Sequence, residues 1–167
     1  MQADLMLTTA QIGMALAGFA GLVTLLGRRG RRADPRLNEI RFRSMIELSI
    51  TLTTFSLLPL IPFELGTDEA NAWRVASAAY AAATLLFFVH SLRRNRALMG
   101  RVLIVGGVTA MLLVVCVVES TLLVLNAGGA FAPHESGVYF TALFLHFLAA
   151  AFFFIRLLYG AFPDDDG

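Results

Sequence analysis

The chain has 167 residues, 57% of them hydrophobic and only 15% charged, with a mean hydropathy of +0.73. A soluble globular domain of this size needs a polar skin that this composition does not supply, so that class is excluded. The formal net charge is +1, and all 13 basic residues are arginine, which removes chemistry that needs a lysine amine, such as a Schiff base or a P-loop.

Five apolar stretches approach the roughly 20 residues needed to cross about 30 Å of hydrocarbon: 5–26, 45–63, 73–92, 102–125 and 138–158. They predict one transmembrane domain over residues 1–167, an all-α polytopic bundle of five membrane helices. The alternative is four spans plus a re-entrant second segment. The charges are sorted by loop: Arg28, Arg29, Arg31, Arg32, Arg36, Arg41 and Arg43 follow the first stretch, and Arg93, Arg94, Arg96 and Arg101 follow the third. The loop Glu64–Ala72 carries Glu64, Asp68 and Glu69 without an arginine. Arginine-rich loops stay in the cytoplasm, so the N-terminus is expected outside and the C-terminus inside. The start MQADLM lacks a basic n-region, which argues against a secretory signal peptide.

In chain order, the first stretch reads TAQIGMALAGFAGLVTLLG, with Thr9, Gly13, Ala17 and Gly21 repeating every four residues. Small residues at this spacing let membrane helices approach closely. The seam predicts a contact without saying whether the partner is another helix of the chain or a second copy. The following RRGRRADPRLNEIRFR is read as topology and headgroup anchoring, with Arg28, Arg29, Arg31 and Arg32, like Arg93, Arg94 and Arg96 later, in reach of lipid phosphates. A nucleic-acid surface would pair basic residues with exposed aromatics on a folded scaffold, and this loop offers only Phe42. Nucleic acid is therefore not an expected partner; membrane lipid is.

The second stretch is the most polar. Glu47, Thr51 and Thr54 share one face, Ser49, Thr53 and Ser56 lie roughly opposite, and Pro59 and Pro62 predict a kink near its end. Its hydroxyls have two uses, lining a polar path or bonding back to their own backbone. The third stretch opens on Trp73 and Arg74 as interfacial anchors, carries a second small seam at Ala76, Ala79 and Ala83, and ends near His90. The fourth holds Cys116 and Glu119, and the fifth places His146 near mid-membrane, with Tyr139, Ala142, Ala149, Ala150 and Phe153 on the same face.

Ionisable groups inside a bilayer cost about 2.5–3.5 kcal/mol at its centre on insertion scales, and so mark candidate function. Here they are Glu119, His146, Glu47 and His90, with Arg156 near a boundary and the half-polar Cys116 one turn before Glu119. If the fourth helix ends near Thr121, Glu119 lies at the interface; if it runs to Leu125, Glu119 is inside and in reach of His146 across the last hairpin. The single cysteine excludes an intramolecular disulfide or a CxxC pair. No metal site or cofactor is expected, because a third and fourth ligand are missing and His90 and His146 sit at different depths, which suits bis-histidine haem poorly. Neither GxSxG nor HExxH occurs, so the hydrolase and protease readings lack their residues.

The pattern AQIGMALAGFAGLV, then an arginine-rich loop and a Ser/Thr helix ending in LLPLIP, resembles a broad set of small uncharacterised bacterial membrane proteins over about the first 65 residues. The resemblance implies the bacterial inner membrane and carries no activity or site residue. Three functions fit the sequence. The first is a small homo-oligomeric channel or transporter-like protein with a proton-sensitive Glu119–His146 pair. The second is a non-catalytic accessory subunit packed on partner membrane subunits, and the third a lipid- or quinone-linked membrane enzyme.

Overall fold

A computed structural model describes residues 2–27, 35–99 and 106–161, and every regular element among them is helical. The order is α1 (Gln2–Gly27), α2 (Pro35–Leu57), α3 (Leu60–Glu64), α4 (Glu69–Met99), α5 (Gly106–Ala127) and α6 (Glu135–Ala161). Four helical stretches are long and apolar enough to cross a membrane: Ala3–Leu25, Phe42–Glu64, Glu69–His90 and Glu135–Tyr159. Leu113–Ala127 is a fifth, shorter apolar helix. The chain is thus an all-α membrane protein of the polytopic helical class. Helices start earlier than apolar runs do: Glu69 and Glu135 occupy first turns, where a carboxylate meets the positive end of the helix dipole.

Arg28, Arg29, Arg31 and Arg32 lie outside the described residues. Arg93, Arg94 and Arg96 continue α4 beyond the span that closes at His90.

The second segment, Phe42–Glu64, is long and apolar enough to cross a membrane. Proline interrupts it as expected. Pro59 has no N–H to give and its ring crowds the preceding turn, so α2 ends at Leu57 and the short α3 restarts at Leu60. Pro62 falls within the first turn of α3, where the missing donor costs nothing. The hydroxyls of α2 turn inward on their own helix. Thr51 donates to the Glu47 carbonyl at 2.8 Å, Thr53 to Ser49 at 2.9 Å and Ser56 to Leu52 at 2.6 Å.

The chain divides into two compact units, residues 1–57 with 146–167, and residues 58–145. In the first, α1 lies along α2. The buried edge of α1 runs Met6, Ala10, Gly13, Ala20 and Val23, with Ala17 half-buried. Steps alternating between three and four residues hold one face toward a neighbour, whereas a strict four-residue line rotates by about 40° per step. The line Thr9–Gly13–Ala17–Gly21 therefore crosses the contact instead of following it. Gly13 marks the closest approach: a Cβ there would fall 2.5 Å from Thr53 Oγ1 and 3.0 Å from the Ser49 carbonyl oxygen. A Cβ at Gly18 or Gly21 would meet nothing within 4 Å. Ala20, Val23, Met45 and Leu157 close an apolar cluster at the other end of this unit.

In the second unit α4 packs along α5. The buried edge of α4 is Trp73, Ala76, Ser77, Tyr80, Ala81 and Thr84. Ala76 belongs to it, while Ala79 is exposed. The alanines leave room for rings: Tyr139 stands 5.4 Å from Trp73 and 5.8 Å from Tyr80, and Phe63 meets Trp73 edge-on at 5.5 Å. Outward-facing apolar side chains are large and numerous, among them Met14 at 67% exposure and Leu86 at 71%. Water would not tolerate that surface, and a hydrocarbon solvent makes it unremarkable.

Candidate functional site

α5 continues to Ala127, eight residues past Glu119, or about 12 Å of further helix. Glu119 is accordingly buried at 2% exposure. α5 extends past Leu125, as the longer of the two helix alternatives requires, and Glu119 is enclosed by protein. Its neighbours in the second unit are polar. The Tyr80 hydroxyl interacts with the Glu119 carboxylate, and the half-buried Cys116 thiol interacts with Ser120 and Glu119. Tyr80 and Tyr139 are both fully buried, and Ser120 is 6% exposed. The spacing explains the grouping. Cys116, Glu119, Ser120, Leu123 and Asn126 recur every three to four residues on one face of α5, and Ser77, Tyr80 and Thr84 do so on α4.

A second polar group, which includes the expected interfacial anchor Arg74, caps the same unit. Asn126 is fully buried, and its Nδ2 donates to Ser77 Oγ at 2.8 Å and to the Glu135 carbonyl at 2.9 Å. Arg74 Nη2 donates to Glu135 Oε1 at 2.9 Å, with the Glu135 side chain 5% exposed and that of Arg74 34%. These contacts tie α4, α5 and α6 together at the end where the two turns of this unit lie. The signal was present in retrospect: Asn126 is seven residues, two helical turns, from Glu119, and opposite charges stand at the starts of α4 and α6.

Gly129 completes this end. It has φ +77°, and a Cβ there would lie 3.1 Å from the Arg74 guanidinium carbon. Gly129→Ala is expected to cost about 1–2 kcal/mol, from the left-handed backbone alone, and to shift Arg74 away from Glu135. Detergent unfolding followed by the fluorescence of Trp73, the single tryptophan, measures the change; a stability equal to wild type would show that the turn relaxes freely.

His146 lies in the first unit, buried at 4% exposure. Its Nε2 lies 3.3 Å from the Leu48 carbonyl oxygen. Since the carbonyl only accepts, Nε2 is the protonated nitrogen in that contact. The small face foreseen around it is observed: Ala142, Ala149 and Ala150 are all buried. Glu119 and His146 thus belong to different units, each with its own partners.

The remaining candidates are less buried. Glu47 pairs with Arg43 on its own helix at 2.9 Å, with side chains 24% and 57% exposed. His90 is exposed. Arg156 is exposed and lies over the Phe152 ring, 5.5 Å from its centroid. Among the described residues, no three His, Cys, Asp or Glu side chains converge as metal ligands would. The chain matches no protein-family model, no curated protein and no solved structure.

Proposed function

We propose that the protein is a small proton-responsive membrane protein of channel or transporter type, acting as a homo-oligomer in a bacterial inner membrane, with Glu119 as its ionisable centre and His146 as a second proton-sensitive group. The observation that carries this reading is the burial of Glu119 beside Tyr80, where the crossing-length α4 packs on the shorter apolar helix of α5. A carboxyl group enclosed among apolar side chains is costly, and a group kept at such cost marks candidate function. A structural role alone would be served at lower cost by glutamine.

Purified protein in liposomes carrying an internal pH dye tests the reading. Wild-type vesicles are expected to dissipate an imposed proton gradient, and Glu119→Gln vesicles to hold it as empty vesicles do. A wild-type protein that passes no protons, or a Glu119→Gln variant that passes them equally well, would sink the proposal. Native mass determination of the same sample reports the copy number.

One observation favours a second reading, an accessory subunit of a larger membrane complex. Three α2 hydroxyls that a polar path would use, those of Thr51, Thr53 and Ser56, donate to their own backbone. A subunit of that kind would co-purify with partner membrane proteins at fixed stoichiometry and pass no protons alone.

A further inference from the structure

The second unit holds several buried polar groups between its turn end and Glu119. At the mouth are Arg74, one-third exposed, and Glu135. One step inward, Asn126 bridges Ser77 and the Glu135 carbonyl. Ser77 precedes Tyr80 by three residues on the same face of α4, and the Tyr80 hydroxyl reaches Glu119. Asn126 and Glu119 are seven residues apart on α5, about 10.5 Å along the axis. The tyrosine side chain spans much of that interval.

Near the mouth, Asn126 Oδ1, an acceptor, and Trp73 Nε1 and Arg74 Nε, donors, are buried atoms without a hydrogen-bond partner among the described residues, and deeper in the unit Thr84 Oγ1 and Ser120 Oγ are the same. Buried polar atoms left over in this way are the partners that bind water inside proteins. Arg74, Ser77 and Tyr80 follow one another at three-residue steps along α4, from the mouth toward Glu119.

We propose that Glu119 is loaded and unloaded with its proton from the turn end of this unit, through the seam formed by Asn126, Ser77 and Tyr80. This rests on the reading of Glu119 as the ionisable centre and adds the side from which it is reached. Loading transfers a proton from hydronium at the Arg74–Glu135 mouth, through seam water and hydroxyls, to a Glu119 carboxylate oxygen. An O–H bond forms there and water is left at the mouth; unloading is the reverse, and no other reactant is needed. The titratable groups facing Glu119 are Tyr80 from α4, with Tyr139 of α6 behind it, and Cys116 on α5. Thr84, one turn beyond Tyr80 away from the mouth, lies off the route.

The test is hydrogen–deuterium exchange of the Glu119 carboxylic acid, read by infrared spectroscopy on the full chain in lipid. The band is assigned by its loss in Glu119→Gln. Ser77→Ala, a small change with little effect on packing, and Asn126→Leu are each expected to slow exchange by roughly ten-fold, the equivalent of losing about one hydrogen-bonded step. Thr84→Val is expected to exchange at the wild-type rate. Wild-type rates in both seam variants overturn the proposal, as does slowing in Thr84→Val alone, or a Glu119 with no acid band at any pH. Vesicles that pass no protons while this exchange pattern holds would instead remove the transport reading and leave the access route standing.

Discussion

Replacing Gly13 with leucine is expected to force α1 and α2 apart and to destabilise the first unit by about 1–3 kcal/mol, the usual range for overpacking a closed contact. The cause is local. The first atom of any side chain at this position would lie 2.5 Å from Thr53 Oγ1 and 3.0 Å from the Ser49 carbonyl oxygen. Thr53 has little freedom to yield, because its hydroxyl donates to the Ser49 carbonyl and lies 3.4 Å from the Ala10 carbonyl oxygen. The Ser49 oxygen is backbone, so the helices themselves must move. Gly21→Ala is the control. It meets open space and exchanges a poor helix former for a good one, so it should be neutral or stabilising by up to about 1 kcal/mol. Unfolding in mixed micelles, followed by circular dichroism, separates the two; equal stabilities would refute the close contact at Gly13.

Asn126→Leu should be comparably damaging, and for the opposite reason, since it changes volume little and removes polar partners. The side chain supplies both amide hydrogens to buried acceptors, Ser77 Oγ and the Glu135 carbonyl. Truncating the donor leaves those acceptors without it in a setting that has no bulk water to replace it, a loss of about 1–3 kcal/mol. Measured membrane examples reach about 1.7 kcal/mol, so the lower half of that range is expected. Asn126→Leu combined with Ser77→Ala should recover part of the loss, because the second change removes one orphaned hydroxyl. Trp73 fluorescence reports both unfolding transitions, and strictly additive losses would show that Asn126 and Ser77 do not act as a pair.

These two sites differ in how far the sequence revealed them. Gly13 was visible as part of a small-residue line, since membrane helices approach closely only where side chains are small. Which residues of that line touch a neighbour was not visible, because contact depends on helix rotation and crossing. Asn126 was read as the start of a loop because the apolar run stops at Leu125. It is in fact in the last turn of α5, where a polar side chain can serve a neighbouring helix's carbonyl. Hydropathy locates oil and is blind to polar groups that satisfy one another.

Length, composition and arginine placement determined that the chain is an all-α membrane protein, where its apolar segments fall, and that Pro59 breaks the second one. Each follows from a local or additive property: transfer of side chains to hydrocarbon, sorting of charge between loops, or a missing N–H. Tertiary structure decided that Glu119 is enclosed beside Tyr80. It also placed Arg74, Ser77, Asn126 and Glu135 together. Those outcomes depend on which helix faces meet across tens of residues, and no local rule fixes that. The lone carboxylate of α5 was legible as a cost; its surroundings, and hence its use, became visible only with the fold.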